Sequence, residues 1–324
     1  MKNDKNIRIC KFPRVTKSCA KPFVKWVGGK GQLLASIENS LPQEVFGFSD
    51  ITYVEPFVGG GAMLFWALEN IPAIKKAVIN DINSDLTNAY LTVRDHVFEL
   101  IAMLGNIQKE YHALPLENER KNYYLNKRER YNTKSLDKIE NAALFIFLNR
   151  TCFNGLYRVN SKGLFNVPFG KYTNPTVCDE NTLLADSKLL QKVKIMTGDF
   201  EQTIRHASGN TFYYFDPPYK PLSQTSSFNS YAKEEFNDAE QIRLKHFCDK
   251  LNNKGCLWLL SNSDVKSNDP GNNFFDDLYS SYRINRVWAS RSVNANPEKR
   301  GKLTELLIMN YHYEKSVRHT HVVG

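Results

Sequence analysis

The sequence predicts a doubly wound α/β fold, in which an open sheet carries helices on both faces. An apolar run ends at Glu55 and is followed by the glycine turn Gly59 to Gly61 and a segment suited to a helix. A second apolar run, Ala77 to Ile79, ends in the polar pair Asn80-Asp81, and a third, Thr211 to Phe215, stops before two prolines. A glycine turn after one strand and an acid at the tip of the next are typical of sheets that bind a nucleoside.

The glycine turn allows close contact with a ligand, because a backbone without Cβ atoms can approach where other residues would clash. Its spacing is not the full Gly-x-Gly-x-x-Gly pattern, so the turn by itself is a weak signal. Asp81, at the end of the second strand, suits hydrogen bonds from ribose hydroxyls. It equally suits an N-cap for the segment Ser84 to Tyr90, and the sequence leaves both roles open.

Upstream of these strands, Trp26 stands between Lys25 and the turn Gly28-Gly29-Lys30. This segment is suited to wrap a ligand carboxylate or to meet phosphates. It is not a P-loop, because the Gly-x4-Gly-Lys-Ser/Thr spacing is absent. The alternative is an amphipathic entry strand with solvated lysines.

The third strand ends abruptly at Asp216-Pro217-Pro218-Tyr219. The prolines fix φ and remove two backbone N–H donors, so the strand cannot continue. A carboxylate and bare carbonyls remain as acceptors beside an aromatic ring, which suits a planar ligand ring that bears an amine. A proline turn followed by a core tyrosine is the simpler alternative.

A basic hairpin is predicted where Leu156 to Asn160 can pair with Leu164 to Val167 across the turn Ser161 to Gly163. Arg158 on such a ribbon suits the major groove of DNA, where Arg and Asn side chains read base edges. The alternative is a surface hairpin whose basic residues are merely solvated.

The chain of 324 residues carries 43 Lys and Arg against 34 Asp and Glu, a formal net charge of +9. This excess favours a polyanionic partner. No apolar stretch approaches the roughly 20 residues of a membrane span, and the start, Met1 to Asn6, is polar. We therefore expect a cytoplasmic protein without a secretory signal. The six cysteines are scattered without a Cys-x-x-Cys pair, so we expect reduced thiols and no metal site.

Together these segments make the chain resemble the Dam-type, or alpha-group, DNA adenine-N6 methyltransferases, which use S-adenosylmethionine. The resemblance runs from Pro22 to Tyr311, nearly the whole chain. It rests on five blocks, which are Phe23 to Lys30, Glu55 to Gly61, Asn80 to Asn83, Asn149 to Gly170 and Asp216 to Tyr219. The resemblance implies a Rossmann-like S-adenosylmethionine methyltransferase sheet with an inserted, mostly helical DNA target-recognition domain that carries a β-hairpin.

The resemblance also implies roles for individual residues. Catalysis falls to Asp216, Pro217, Pro218 and Tyr219. Cofactor binding falls to Trp26, Lys30, Phe57, Gly59, Gly61, Asp81, Asp199 and Asp216. Contacts that recognise or distort GATC in double-stranded DNA fall to Lys25, Phe153, Asn154, Leu156, Arg158 and Pro168. Asp199 would lie near the adenine of the cofactor, although an Asp after a strand is often just a turn former.

The residues also limit the chemistry. Cytosine-C5 methylation needs a nucleophilic cysteine, typically in a Pro-Cys pair, and the chain contains no such pair. We therefore expect transfer to an exocyclic amine of a base flipped out of the duplex, directly and without a covalent intermediate. Asp216 at the first position of its corner favours adenine. Two alternatives stay open, which are cytosine-N4 methylation and a non-catalytic DNA-binding protein with a relic fold.

We expect four regions, which are an extension (1–20), a catalytic domain (21–90 and 191–315), a recognition domain (91–190) and a tail (316–324). Apolar residues at helical spacing in Leu136 to Phe147 support a helical insertion. Arg291 to Lys302 would form a basic loop that closes over the site or meets phosphate. Whether a restriction endonuclease of the same system is a further partner stays open.

Overall fold

A seven-stranded sheet runs through the protein. The computed structural model describes residues 20–26, 28, 33–47, 49–220, 236–289 and 303–312. The strands within them are β1 (Ile51–Glu55), β2 (Ile74–Asp81), β3 (Val193–Thr197), β4 (Thr211–Phe215), β5 (Leu257–Ser263), β6 (Arg283–Ala289) and β7 (Leu303–Met309). Their order is β3-β2-β1-β4-β5-β7-β6. The first five strands run parallel, and β7 is antiparallel to both β5 and β6.

Helices cover both faces of this sheet. They are α1 (Leu34–Glu38), α2 (Gln43–Gly47), α3 (Ala62–Asn70), α4 (Ser84–Asp95), α5 (Val97–His112), α6 (Glu117–Asn132), α7 (Lys138–Thr151), α8 (Glu180–Leu190), α9 (Asp238–Asn253) and α10 (Phe274–Leu278). Short 3-10 helices span Phe153–Gly155, Phe200–His206 and Val265–Ser267. The start of α7 follows from Asp137, whose side chain accepts hydrogen bonds from two backbone N–H groups of the first turn.

Alternate residues of the central strands face two separate cores. Strand β4 is buried along its whole length, as expected for a parallel strand that is covered on both faces. Phe212 and Tyr214 join the core on the side of α3 to α8, whereas Tyr213 and Phe215 join the core formed with α9 and α10. A slip of one residue would exchange these two sets of side chains, so burial determines the register strongly.

The predicted fold class is confirmed, including a mostly helical insertion between β2 and β3. Helix α4 packs against both of these strands, and α5 and α6 pack against α7. The helix predicted over Leu136 to Phe147 is confirmed by α7, most of whose side chains are buried. The boundaries of the recognition domain stay a prediction.

The hairpin forms, but not as two regular strands. Val159 and Phe165 form an isolated antiparallel bridge, with a 2.9 Å hydrogen bond from Asn160 N to Leu164 O beside it. The outer edge of the hairpin is bound by Asn132 of α6, whose side chain accepts from Phe165 N at 2.8 Å and donates to Phe165 O at 3.0 Å. A helix therefore pairs the backbone edge that a further strand would otherwise pair.

Residues 20–26 are not the entry strand that the sequence allowed as an alternative, since they form no strand. The last turn of α7 binds their backbone instead. Arg150 Nη2 donates to Phe23 O at 2.8 Å, and Asn149 Oδ1 accepts from Lys25 N at 2.7 Å. Side chains of a helix therefore take the groups that a neighbouring strand would pair.

Some predicted features lie outside the described residues, namely Lys30, residues 1–19 of the extension, the loop Arg291 to Lys302 and the tail 316–324. Four cysteines are described, and each carries a free thiol. Within the described part of the chain, no helix combines the length and the apolar character that crossing a bilayer requires.

Candidate active site and DNA interface

Three acidic side chains meet at the carboxyl edge of the sheet. Asp81 ends β2, Glu55 ends β1 and Asp216 directly follows β4, and these parallel strands are neighbours. Burial raises the pKa of Glu55 well above its ordinary value, and the charges of Asp216 and Asp81 add to the rise, while a 2.8 Å hydrogen bond from Tyr53 Oη opposes it. The neutral form of Glu55 is therefore favoured, which relieves repulsion within this row of acids.

The Asp216 carboxylate is oriented by the adjacent strand β5. Ser261 Oγ lies 3.2 Å from Asp216 Oδ1 and 3.3 Å from Phe215 O. The same hydroxyl lies 3.2 Å from Tyr214 Oη. A buried serine therefore connects the last residues of β4 with the carboxylate, and sequence reasoning did not single it out.

The prolines and the tyrosine of this corner have distinct surroundings. Pro218 O accepts a 3.2 Å hydrogen bond from Gln241 Nε2 of α9, whereas Pro217 O accepts none from any described residue. Tyr219 Oη donates to Glu305 Oε2 of β7 at 2.8 Å. The corner thus leaves one prolyl carbonyl available as an acceptor and holds its aromatic ring by the hydroxyl. A lone acid in an apolar strand was the only sequence signal for Glu305.

The turn between β1 and α3 needs glycine at two positions. The φ angle is 48° at Gly59 and 75° at Gly61, in the left-handed region that favours glycine. A Cβ atom at Gly59 would lie 2.7 Å from Trp26 Cδ1, and one at Gly61 would clash with the hydroxyl of Tyr90. The indole of Trp26 therefore packs directly on bare backbone.

Asp81 is bound to this turn and does not cap a helix. Its Oδ2 accepts from Gly59 N at 3.1 Å, and its Oδ1 accepts from Asn83 N at 3.0 Å. The N-cap of α4 is Asn83 itself, so the capping role that the sequence allowed for Asp81 is wrong. A carboxylate has about four acceptor positions, so this side chain keeps capacity for ribose hydroxyls.

Two neighbours of Asp81 add to the site. Ile82 has 70% of its surface exposed, although it is large and apolar. Asn80 Nδ2 donates to Pro56 O at 3.1 Å and to Gly198 O at 2.8 Å, while its buried Oδ1 has no hydrogen-bond partner among the described residues. An apolar residue after a strand-end acid was the only sequence signal for Ile82.

Asp199 is held in an ion-pair cluster beside an aromatic wall. Arg243 of α9 donates to both carboxylate oxygens, at 3.1 and 2.7 Å, and these bonds lower the pKa of Asp199. Asp199 also accepts from Glu201 N at 2.9 Å and so forms the turn that the sequence allowed. The guanidinium of Arg243 lies 4.2 Å from the centroid of the Phe200 ring, which is 5.2 Å from that of Phe57.

These residues fit the S-adenosylmethionine that the resemblance implies. Trp26 packs on the turn at Gly59, Asp81 keeps acceptor positions, and Ile82 offers exposed apolar surface. The unpartnered oxygen of Asn80 is a further acceptor beside them. Among the described residues, no group of three His, Cys, Asp or Glu side chains is arranged to hold a metal ion.

The predicted DNA contacts cluster after the end of α7. Phe153 N donates to Pro168 O at 2.8 Å, so these two residues lie side by side. Asn154 has φ 55° and ψ 16°, a left-handed conformation within the turn. Phe153 is 52% exposed, and Asn154, Arg158 and Pro168 are exposed too. Leu156 differs, because it is half-buried and packs against the core.

Lys25 and Trp26 connect this hairpin with the glycine turn. Asn149 Nδ2 donates to Lys25 O at 2.8 Å and to Gly155 O at 3.0 Å. Trp26, which packs on the glycine turn, also stacks on Tyr157 with ring centroids 5.9 Å apart and an interplanar angle of 23°. Most of the predicted residues therefore lie in two groups, one at the acidic corner and the glycine turn and the other after the end of α7. Lys25 and Trp26 join the two groups.

The chain is similar in sequence to known DNA methyltransferases. A model of the D12 class N6 adenine-specific DNA methyltransferases matches residues 26–293. The type II methyltransferase M.MjaIII of Methanocaldococcus jannaschii is 47% identical over 294 residues, 90% of this chain and 99% of that protein. The Lactococcus lactis type II methyltransferase M1.LlaDCHI is 41% identical over 296 residues, 90% of this chain and 95% of its own. A DNA adenine methylase of Haemophilus influenzae is 34% identical over 288 residues, 89% and 92% of the two chains. The chain belongs to the D12 class of N6 adenine-specific DNA methyltransferases.

Proposed function

We propose that this protein methylates N6 of an adenine within the sequence GATC of double-stranded DNA, with S-adenosylmethionine as the methyl donor. Membership of the family supports the adenine and the DNA, and so does the similarity to proteins named type II methyltransferase and DNA adenine methylase. The observation that carries the proposal is the corner after β4. There a carboxylate at Asp216 and the carbonyl of Pro217, which accepts no hydrogen bond from a described residue, stand beside the ring of Tyr219.

The corner supplies the acceptors that the reaction needs. The adenine amine is a weak nucleophile, because its lone pair is delocalised into the ring. Asp216 and Pro217 O accept hydrogen bonds from its two N–H groups, which draws the nitrogen towards tetrahedral geometry and localises the lone pair. Ser261 lies within hydrogen-bond distance of the Asp216 carboxylate and helps to orient it, so less reorganisation is needed on the way to the transition state.

S-adenosylmethionine supplies, when bound, a methyl group on a sulfonium that needs no further activation. Asp81 would hold the ribose hydroxyls, and the glycine turn, with Trp26 packed on Gly59, would hold the methionine part. The carboxylates of Asp81 and Asp216 attract positive charge at this edge of the sheet. The protein therefore acts by positioning and electrostatics, without a covalent intermediate on the protein. The bond from N6 to the methyl carbon would form as the carbon–sulfur bond breaks, which leaves S-adenosylhomocysteine, and the proton that the amine loses would pass by way of Asp216 to solvent.

The amine reaches this corner only when the adenine leaves the duplex. Extrusion of a base costs a few kcal/mol. Stacking on Tyr219 returns roughly 1–3 kcal/mol, the range for a base on an aromatic side chain, and the hydrogen bond to Glu305 holds that ring by its hydroxyl. Phe153, half of which is exposed, fills the space in the base stack.

Arg158 is the best candidate for reading a base. Its Nε donates to Asn166 Oδ1 at 2.8 Å and its Nη2 to Asn166 O at 3.3 Å. A guanidinium has five N–H donors, so three remain for the two acceptors on the major-groove edge of a guanine. We expect Arg158→Ala to weaken discrimination at the guanine of GATC by about 1–3 kcal/mol.

The test is methylation of unmodified plasmid by the purified protein, followed by digestion with two GATC-cutting nucleases that differ in sensitivity to adenine methylation. We expect protection against the methyl-blocked nuclease and full cutting by the insensitive one, with no protection by Asp216→Ala. Complete cutting by both nucleases would refute the GATC assignment.

Mass spectrometry of the hydrolysed nucleosides tests the chemistry separately from the site. We expect N6-methyldeoxyadenosine in the treated plasmid. N4-methyldeoxycytidine in its place would support cytosine-N4 methylation, the closest alternative. A protein that leaves all nucleosides unmodified and does not bind S-adenosylmethionine would instead be a non-catalytic DNA-binding protein.

A further inference from the structure

A groove of about 620 Å³ lies at the edge of the sheet opposite the acidic corner. We call it the basic groove, because its lining includes Lys75, Lys76, Arg94, Lys192, Lys194 and His206, and no acidic residue. Lys75 and Lys76 are the second and third residues of β2, and Lys192 and Lys194 flank the first residue of β3. The amino ends of two neighbouring parallel strands therefore concentrate positive charge at one place.

The four lysines of the basic groove bind no carboxylate among the described residues, in contrast to Lys21, Lys245 and Lys266 elsewhere on the protein. Within the described part of the chain, Lys75 Nζ donates to Pro72 O at 3.1 Å, and Lys192 Nζ donates to Ile74 O at 3.2 Å. Arg94 is the exception, since Asp95 accepts from it at 2.8 and 2.9 Å.

Neighbouring positive charges act on two groups of the basic groove, in addition to burial. Burial lowers the pKa of Lys192, and the nearby charge of Lys75 adds to this. Burial also lowers the pKa of His206, helped by Lys194 and Arg205. The Nε2 atom of His206 is buried and has no hydrogen-bond partner among the described residues. An anion in the groove would offset the repulsion among these positive charges.

We propose that the basic groove binds the phosphate backbone of a second segment of duplex DNA, away from the segment that is methylated. The lining carries no aromatic ring other than the imidazole of His206, so a nucleotide base would find no stacking surface. It also contains none of the exposed large apolar side chains among the described residues, which a membrane surface would engage. Lysines without bidentate geometry suit phosphates as point charges.

The position of the basic groove favours a separate segment. The acidic corner lies at the carboxyl ends of the strands and the groove lysines lie towards their amino ends, and along β2 Lys76 and Asp81 are five residues apart, roughly 17 Å at about 3.3 Å per residue. We therefore assign the groove to DNA other than the stretch that presents its base at the carboxyl edge. The inference goes beyond the proposed function and does not depend on the GATC assignment.

The test measures how many copies of a 16-bp duplex without GATC bind to the protein, and with what affinity. The duplex carries fluorescein, and binding is followed by two-wavelength sedimentation velocity in about 50 mM salt. We expect a second duplex to bind the wild-type protein. Lys76→Gln/Lys194→Gln should weaken this second step at least fivefold and reduce its salt dependence by a slope of about 1.8, at about 0.9 per phosphate contact. Lys76→Arg/Lys194→Arg should keep it.

Lys109→Gln/Lys121→Gln removes the same charge from exposed positions outside the groove and should leave the second step unchanged. An unaltered second step in Lys76→Gln/Lys194→Gln, with an unchanged melting temperature, would overturn the proposal. So would groove-dependent binding to phosphatidylserine vesicles without groove-dependent binding of the duplex. Methylation is not needed for the measurement, so failure of the proposed function is recognised separately, as absence of modified nucleosides.

Discussion

Tyr219 and Glu305 are joined by a 2.8 Å hydrogen bond from Tyr219 Oη to Glu305 Oε2. The two residues belong to the corner after β4 and to β7, which lie on opposite sides of β5 in the sheet. Glu305 is buried at 9% exposure, so its carboxylate depends on such donors. This hydrogen bond therefore fixes the ring of Tyr219 through its hydroxyl group.

Tyr219→Phe removes the hydroxyl and should reduce kcat/KM for a duplex with one target about tenfold. Tyr219→Ala also removes the ring and should reduce kcat/KM further, because the flipped base loses a stacking interaction worth roughly 1–3 kcal/mol. Loss of a hydrogen bond to a charged group costs about 1.5–3 kcal/mol, partly because a buried carboxylate is left without this donor. Steady-state kinetics measures the effect. The double variant Tyr219→Phe/Glu305→Gln should recover part of it, and wild-type rates in Tyr219→Ala would contradict the stacking role.

Ser261→Ala should lower kcat about tenfold with little change in the affinity for S-adenosylhomocysteine, because the Asp216 carboxylate loses a contact that orients it while the bond between Asp81 and the glycine turn is kept. Single-turnover methylation and calorimetry measure the two quantities. Ser187→Ala is a suitable control, since Ser187 is also buried but its hydroxyl lies 3.4 Å from Arg94 O, far along the chain from the corner. Equal losses in both variants would mean that Ser261 acts on folding alone.

Gly59→Ala should weaken binding of S-adenosylhomocysteine at least tenfold. The new Cβ would lie 2.7 Å from Trp26 Cδ1, and the φ angle of 48° is strained for alanine. Calorimetry and quenching of the indole fluorescence report the binding. Gly105→Ala lies within α5 with open space around it, so it should leave binding intact and stabilise the helix by roughly 0.5–1 kcal/mol. Unchanged affinity in Gly59→Ala would remove the turn from the cofactor site.

Asp186→Asn should stabilise the protein, and the gain should grow with pH. Burial raises the pKa of Asp186 to about 8, above about 3.9 in an unfolded chain. Between these values the folded state binds the proton more tightly, so wild-type stability falls as pH rises from about 4 to about 8. Urea unfolding from pH 4 to pH 8 should show curves that meet near pH 4 and diverge by a few kcal/mol. Parallel curves would show that Asp186 does not titrate in this range.

Phe153→Ala should impair base flipping without affecting the cofactor. The side chain is 52% exposed at the turn after α7, and its removal leaves the vacated position in the base stack unfilled. Fluorescence of 2-aminopurine at the target position should rise less on binding than with the wild-type protein. Phe98→Ala, at another exposed phenylalanine, should behave as wild type. An equal rise in 2-aminopurine fluorescence with the wild type, Phe153→Ala and Phe98→Ala would show that Phe153 does not fill the vacated position in the base stack.

Local patterns in the sequence are enough to predict the strands and turns that carry the site. The apolar run before Asp216 and the two prolines after it predict where β4 ends, because proline acts on its own residue and its neighbours. The glycine turn at Gly59 to Gly61 is predicted for the same kind of reason, since positive φ is a property of single residues. Asp81 at the tip of β2 follows from the end of an apolar run.

What the sequence could not determine are the partners of these residues, because those partners are distant in the chain. Ser261 is 45 residues from Asp216, and Glu305 is 86 residues from Tyr219. Asn132 binds the outer edge of the hairpin from 33 residues away, and Asp81 accepts from Gly59 N, which is 22 residues away. The sequence by itself determined which elements form and which chemistry they offer. Tertiary structure alone decided which side chains orient them, since that depends on strand order and helix packing and not on local propensity.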